Sequence, residues 1–176
     1  MEKKNKIKKT FDIFKQCECY RKNGKLHRED GPARIFISGN KEWYLNGKLH
    51  RDNGPAIELT SGYKAWYKNG KLHNDKGPAV IAADGTSFWY KEDVPHRDDG
   101  PSCISYNFKE WRKDGLNHRL DGPAKEYSDG YKEWYYEGQY ITSQSQEDFE
   151  KIINSSEFKD AFFSLEKIKE GFCARK

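Results

Sequence analysis

All five histidines of the chain fall on one grid, His27, His50, His73, His96 and His118, at steps of 23, 23, 23 and 22 residues. Each is followed by Arg28, Arg51, Asn74, Arg97 or Arg119, a combination with the chemistry to hold a metal or to move protons. The spacing argues against both. If each step adds two strands to a sheet, equivalent positions lie roughly 10 Å apart, whereas two ligands of one zinc ion each sit about 2 Å from it. Catalysis needs an asymmetric constellation in which nucleophile, base and orienting group differ, and here the same polar residues recur at every step. The five histidines are therefore read as structural, each imidazole bonding the Asp-Gly-Pro loop of its own or the next unit. No Gly-rich phosphate loop, G-x-S-x-G elbow or H-E-x-x-H motif is present, so the expected protein is non-enzymatic, without metal or other cofactor.

The elements that carry this grid are legible from the other repeating residues. Tryptophans stand at Trp43, Trp66, Trp89, Trp111 and Trp134, and Gly-Pro recurs with Pro32, Pro55, Pro78, Pro101 and Pro123. Such regularity identifies tandem repeats. Asn46-Gly47 and Asn69-Gly70, between strand-like runs, are the favoured type I′ hairpin pair. Ser61-Gly62, Asp84-Gly85 and Asp129-Gly130 mark a second reversal, and the proline ends a short segment because it cannot donate to a ladder. Alternation in Tyr63–Lys68 puts Lys64, Trp66 and Lys68 on one face and Tyr63, Ala65 and Tyr67 on the other. Tyr131, Glu133 and Tyr135 repeat that phase against Lys132, Trp134 and Tyr136, so a Trp ladder is expected on one side and a Tyr/Phe ladder on the other. Three departures stand out: Glu92-Asp93-Val94-Pro95 replaces Asn-Gly-Lys-Leu and is expected to turn differently, Asn74 and Lys76 replace the usual Arg and Asp or Asn, and the interval from Pro101 to Trp111 is one residue shorter than that from Pro55 to Trp66, with its compressed turn expected at Asn107.

Composition agrees with a thin sheet. Of 176 residues, 35% are hydrophobic and 15% aromatic, so burial has to come from rings rather than aliphatic chains. The net charge of +4 divides as about +3 over residues 1–19, +2 over 20–143 and −1 over 144–176. No run is long enough to span a membrane or to form a signal-peptide core, which makes the cytoplasm the expected location. Cys17, Cys19, Cys103 and Cys173 lack paired spacing and are expected as reduced thiols. After Gly138 the repeat stops. Ser145-Gln-Glu-Asp148 reads as a capping-box variant opening a helix through Phe149, Ile152 and Ile153, and Asn154-Ser155-Ser156 interrupts it. Phe158, Ala161, Phe162, Leu165, Ile168 and Phe172 then follow helical spacing. The expected fold is an all-β repeat array of antiparallel hairpins, an elongated sheet with a short C-terminal helical cap. Residues 1–19 form a basic arm or first strand, 20–142 five units plus a half, and 143–176 the cap.

The segment Tyr63-Lys-Ala-Trp-Tyr-Lys-Asn-Gly-Lys-Leu-His resembles the Y-x-G-x-W-x-N-G-K-x-H core of the MORN (membrane occupation and recognition nexus) repeat, with Tyr67 at the family's Trp position. The likeness runs from about Tyr20 to Gly138 and is that of a divergent subtype, similar to MORN variants of bacterial and viral proteins. Ala65 occupies the family's second Gly, and H-G-x-G has become His-Arg-x-x-Gly-Pro-Ala. The resemblance implies a single-layer hairpin array used for protein assembly or, in some members, lipid contact. On this reading Trp43, Trp66, Trp89, Trp111 and Trp134, with Lys64, Arg51, Arg97 and Arg119, form a surface for a protein partner or a second copy of the chain. The alternatives are sequestration of a small anionic ligand such as a nucleotide, and attachment to a membrane surface by the N-terminal lysines Lys3, Lys4, Lys6, Lys8 and Lys9. Lys–Trp pairs such as Lys64/Trp66 have the composition to stack single-stranded bases, but the near-balanced charge offers no continuous basic stripe, so neither nucleic acid nor membrane is favoured.

Overall fold

The computed structural model describes residues 6–173, with side chains as far as Ser164. Lys3 and Lys4, and the side chains of Leu165, Ile168, Phe172 and Cys173, lie outside the described residues. The array is an antiparallel sheet of 14 short strands flanked by four separate two-stranded hairpins. It begins with β1 (Lys8–Asp12) paired to β2 (Cys17–Lys22).

A single unit shows how the sequence builds the main sheet and a side hairpin. Ile57–Glu58 pairs with Lys64–Ala65 in the main sheet, and the chain then continues into a side hairpin of Tyr67–Lys68 and Lys71–Leu72. The tryptophan between them is the junction. Trp66 N–H donates forward to Ala79 O at 2.7 Å, while its carbonyl accepts from His73 N–H of its own unit at 3.1 Å. Tyr20, Trp43, Trp89 and Trp111 repeat this division, with Ala33, Ala56, Ser102 and Ala124 as forward acceptors. Those four residues and Ala79 are all buried, which explains why the position after Gly-Pro is small.

Both central residues of the Asn-Gly turns have positive φ, 52° and 83° at Asn46-Gly47 and 55° and 90° at Asn69-Gly70, as a type I′ turn requires. The fourth unit corrects the expectation of a different turn. Glu92 and Asp93 adopt the same geometry, at 52° and 72°. Asp93 Oδ1 accepts Leu72 N–H of the preceding hairpin at 2.7 Å, which holds the turn residue in place. The shortened turn between Pro101 and Trp111 is organised by Ser105, whose Oγ accepts the N–H groups of both Asn107 and Phe108, leaving Tyr106 at its tip.

Register across the sheet lines up Cys19, Arg34, Glu42, Ile57, Ala65, Val80, Phe88, Cys103, Glu110, Lys125 and Glu133 on one face. Tyrosines of the side hairpins continue that face, as the bonds from Tyr44 to Glu42 and from Tyr135 to Glu133 show. The opposite face carries the tryptophans.

Helix α1 (Gln146–Asn154) starts at Ser145, whose Oγ accepts Asp148 N–H, and stops at extended Ser155. Ser155 in turn caps α2 (Ser156–Cys173) by accepting Phe158 N–H at 3.2 Å. The helices cover the Trp face of the last hairpin. Phe149 is fully buried, with its ring 5.2 Å from Trp134, and Phe158 and Phe162 meet Tyr136 edge-on. Because Phe149 and Trp134 form the centre of the C-terminal core, Phe149→Ala is expected to destabilise the protein by about 3–5 kcal/mol. Chemical denaturation monitored by Trp fluorescence checks this.

Candidate functional site

The histidine grid forms a chain of staples between units. His27 Nδ1 accepts Asn46 N–H at 3.0 Å and His50 Nδ1 accepts Asn69 N–H at 3.1 Å. His96 and His118 receive Asp114 and Glu137 N–H in the same way. The imidazole therefore joins its unit to the turn of the next hairpin, rather than to the next Gly-Pro loop. The acceptor role of Nδ1 fixes the Nε2–H tautomer, and Nε2 faces an acid of the same loop, Glu29, Asp52 or Asp75, at 2.9–3.2 Å. Among the described residues no group of three or more His, Cys, Asp and Glu side chains is placed to hold a metal ion.

The arginines close their own loops. The guanidinium carbons of Arg51, Arg97 and Arg119 lie 3.9, 4.2 and 4.0 Å from the ring centroids of Trp43, Trp89 and Trp111. Arg28 takes the same place over Tyr20 at 4.1 Å. Each also donates to the carbonyl of the proline four residues on, Pro32, Pro55, Pro101 or Pro123. A Cβ on Gly122 would stand 2.6 Å from Arg119 Cζ, so glycine is the residue that lets the guanidinium lie flat across the loop. Asp30, Asp99 and Asp121 are held below the usual carboxylate range by their hydrogen bonds to these arginines. The tryptophans thus meet guanidinium groups of their own units, rather than stacking as an indole ladder. Trp134 lies under Phe149 instead.

One junction departs from the pattern. Asn74 reaches Pro78 O at 2.8 Å, but it puts no cation over Trp66. The buried His73 Nδ1 has no partner, and at this junction the Asp93 side chain accepts Leu72 N–H. Lys64 is exposed on the Trp face.

A set of side chains that the motif reading did not single out gathers on the other face at the C-terminal end. Tyr127 and Tyr135 both donate to Glu133, at 3.1 and 2.8 Å, and Lys125 Nζ lies 3.2 Å from the same carboxylate. Burial pushes the Glu133 carboxyl up, but the bonds from Tyr135, Lys125 and Tyr127 outweigh it and hold the group below its ordinary value. Around this centre, Tyr131 packs 5.6 Å from Tyr127, Tyr140 5.5 Å from Tyr135 and Phe108 6.1 Å from Tyr127. Tyr131 and Tyr140 remain 56% and 53% exposed, and Tyr106 at the nearby turn is 95% exposed. The signal was the alternation that put Tyr131, Glu133 and Tyr135 on one face, together with the concentration of tyrosine after residue 126.

The three described thiols are free and buried. Cys17 and Cys19 are fully buried with sulfurs 3.4 Å apart, and burial together with the neighbouring thiol pushes Cys17 up to about 11. Burial pushes Cys103 to about 11 as well. No helix among the described residues is long and apolar enough to cross a membrane. Comparison with protein-family models and with curated proteins gave no match to the chain.

Two outcomes follow from the staples. His50→Ala removes the acceptor of Asn69 N–H and is expected to cost about 0.5–1.5 kcal/mol in denaturant unfolding. His73→Ala, whose Nδ1 has no bond to lose, is expected to cost measurably less. The second outcome concerns pH. Burial holds the His118 imidazole below its ordinary value of 6.5, and Leu120 stands where Glu29, Asp52, Asp75 and Asp98 face the other rings. The unfolded chain therefore takes up the proton first, so this contribution to stability is complete above the ordinary value and is lost as pH falls through it toward the folded value. Thermal scans between about pH 7.5 and about pH 5 should show a smaller drop in Tm for His118→Asn than for the native chain.

Proposed function

We propose that this chain is a divergent MORN-like repeat scaffold, cytoplasmic and non-enzymatic, that binds a protein partner through the tyrosine face of its last units. The observation that carries this reading is the platform of Phe108, Tyr127, Tyr131, Tyr135 and Tyr140 around Glu133, with two of its rings about half exposed. Tyrosine supplies large, rigid contact area with a polar tip at a small entropic cost, the property that enriches it at protein interfaces. The scaffold already orders these rings through Glu133, so a partner does not have to pay for fixing them. The Trp face supports recognition less well. Its guanidinium groups are committed to Trp43, Trp89 and Trp111 and to loop carbonyls, and Trp134 is covered. The same commitment weakens the alternative of nucleotide capture, which would draw on Arg51, Arg97 and Arg119 for its cations.

The test compares two variants for capture of a stoichiometric protein partner from lysate, each checked for native circular dichroism. Tyr131→Ser/Tyr140→Ser removes exposed rings of the platform, and Lys64→Ser/Lys109→Ser alters the opposite face. Loss of the partner, by about tenfold or more in affinity, with the tyrosine variant alone is expected for hot-spot rings. Equal binding by the tyrosine variant and the native chain would refute the proposal.

A further inference from the structure

The first strand leaves an edge whose chemistry is self-complementary. Among the described residues nothing pairs with the outer side of β1. Tyr20, opposite Lys9, donates its N–H to Ala33 O at 2.8 Å and accepts His27 N–H at 2.9 Å, so both its backbone groups point away from β1. Residues facing each other in an antiparallel pair either exchange both bonds or neither. Lys9 therefore turns its N–H and C=O outward, and so does Phe11 two residues on, opposite Glu18. Lys8, Thr10 and Asp12 spend theirs on β2.

We infer that this edge is a self-association surface at which two copies of the chain pair antiparallel about Thr10. In that register the outward groups of Lys9 meet those of Phe11 of the partner subunit, and the reciprocal pair forms across the axis. Lys8 then stands opposite Asp12 of the partner subunit, twice over, giving two cross-strand pairs of opposite charge. Centring on Lys9 would oppose two like charges, and centring on Phe11 would leave Lys8 and Asp12 without a counter-charge. Lysine on an edge strand commonly blocks such pairing, but Lys9 is already neutralised by Glu18 at 2.7 Å. Phe11 is 55% exposed, and the neighbouring Ile13 and Phe14 are 72% and 97% exposed. Pairing would cover Phe11 with the stem of Lys9 of the partner subunit. The axis stands perpendicular to the sheet, so the tyrosine faces of the two copies would look the same way. The inference is independent of what that face binds.

Sedimentation equilibrium of the full chain tests it, with a concentration-dependent monomer–dimer equilibrium expected. Phe11→Pro removes an outward N–H, a change edge strands tolerate, and should leave a folded monomer. Lys8→Asp and Asp12→Lys each place like charges opposite and should weaken the dimer about tenfold, and the double exchange should restore it. A chain that stays monomeric at all concentrations, a dimer that survives Phe11→Pro, or charge variants that fail to complement would each overturn the inference.

Discussion

Four turns of this protein take a hydrogen-bond acceptor from an imidazole of the preceding unit. A type I′ turn points the N–H of its first residue out of its own ladder, where it is free to bond a neighbouring unit. The preceding unit supplies the imidazole nitrogen at His27, His50, His96 and His118. One residue on, the turn N–H finds a carbonyl of the preceding hairpin, as Gly47 finds Leu26 and Gly70 finds Leu49. The requirement runs one way along the chain, so an isolated unit leaves both its imidazole and its turn unsatisfied. This directional dependence accounts for His27, His50, His96 and His118 better than any metal or acid–base chemistry.

A second dependence lies within each unit and explains the remaining grid residues together. The His-Arg-x-x-Gly-Pro loop crosses from side hairpin to main sheet and exposes carbonyl groups as it does so. A guanidinium has enough donors to reach the proline carbonyl and a loop carboxylate at once, while its flat face rests on an indole. That arrangement asks for glycine beneath it, a small buried residue after the proline and an aromatic residue at the strand junction. Where no arginine follows, at Trp134, the fully buried Phe149 covers the ring instead. The C-terminal helices thus supply the lid that every earlier tryptophan except Trp66 finds in its own unit.

The hairpins, reversals, helix starts and two faces were legible because each rests on local rules: positive φ at Asn-Gly, alternation along strands and a serine before an amphipathic run. Side-chain roles were less legible because they depend on neighbours in space. Arg51, Arg97 and Arg119 read as cations free to bind, and only the folded loop shows each consumed by its own tryptophan. The conserved geometry of Glu92-Asp93 was hidden for the opposite reason, since a carboxylate bond to Leu72 N–H let two non-glycine residues hold a shape that the sequence rules assign to Asn-Gly. The tyrosine platform spans four strands, so its unity around Glu133 emerges only from register.

The junction between the third and fourth units shows what the other contacts contribute. There Asn74 leaves Trp66 without a guanidinium, and His73 Nδ1 has no turn donor to accept. Continuity is kept by the ladder, with Val80 paired to both Ala65 and Phe88, by Asp93 N–H donating to Leu72 O at 3.0 Å, and by the Asp93 side-chain bond. In a repeat array, stability is close to a sum of unit terms and nearest-neighbour terms, so a junction missing one of its usual terms is where cooperativity is weakest. The N-terminal edge at β1 and the tyrosine platform fall on opposite sides of this junction. Changes that loosen it therefore bear first on how the two halves are held to each other, before they reach the side chains at either end.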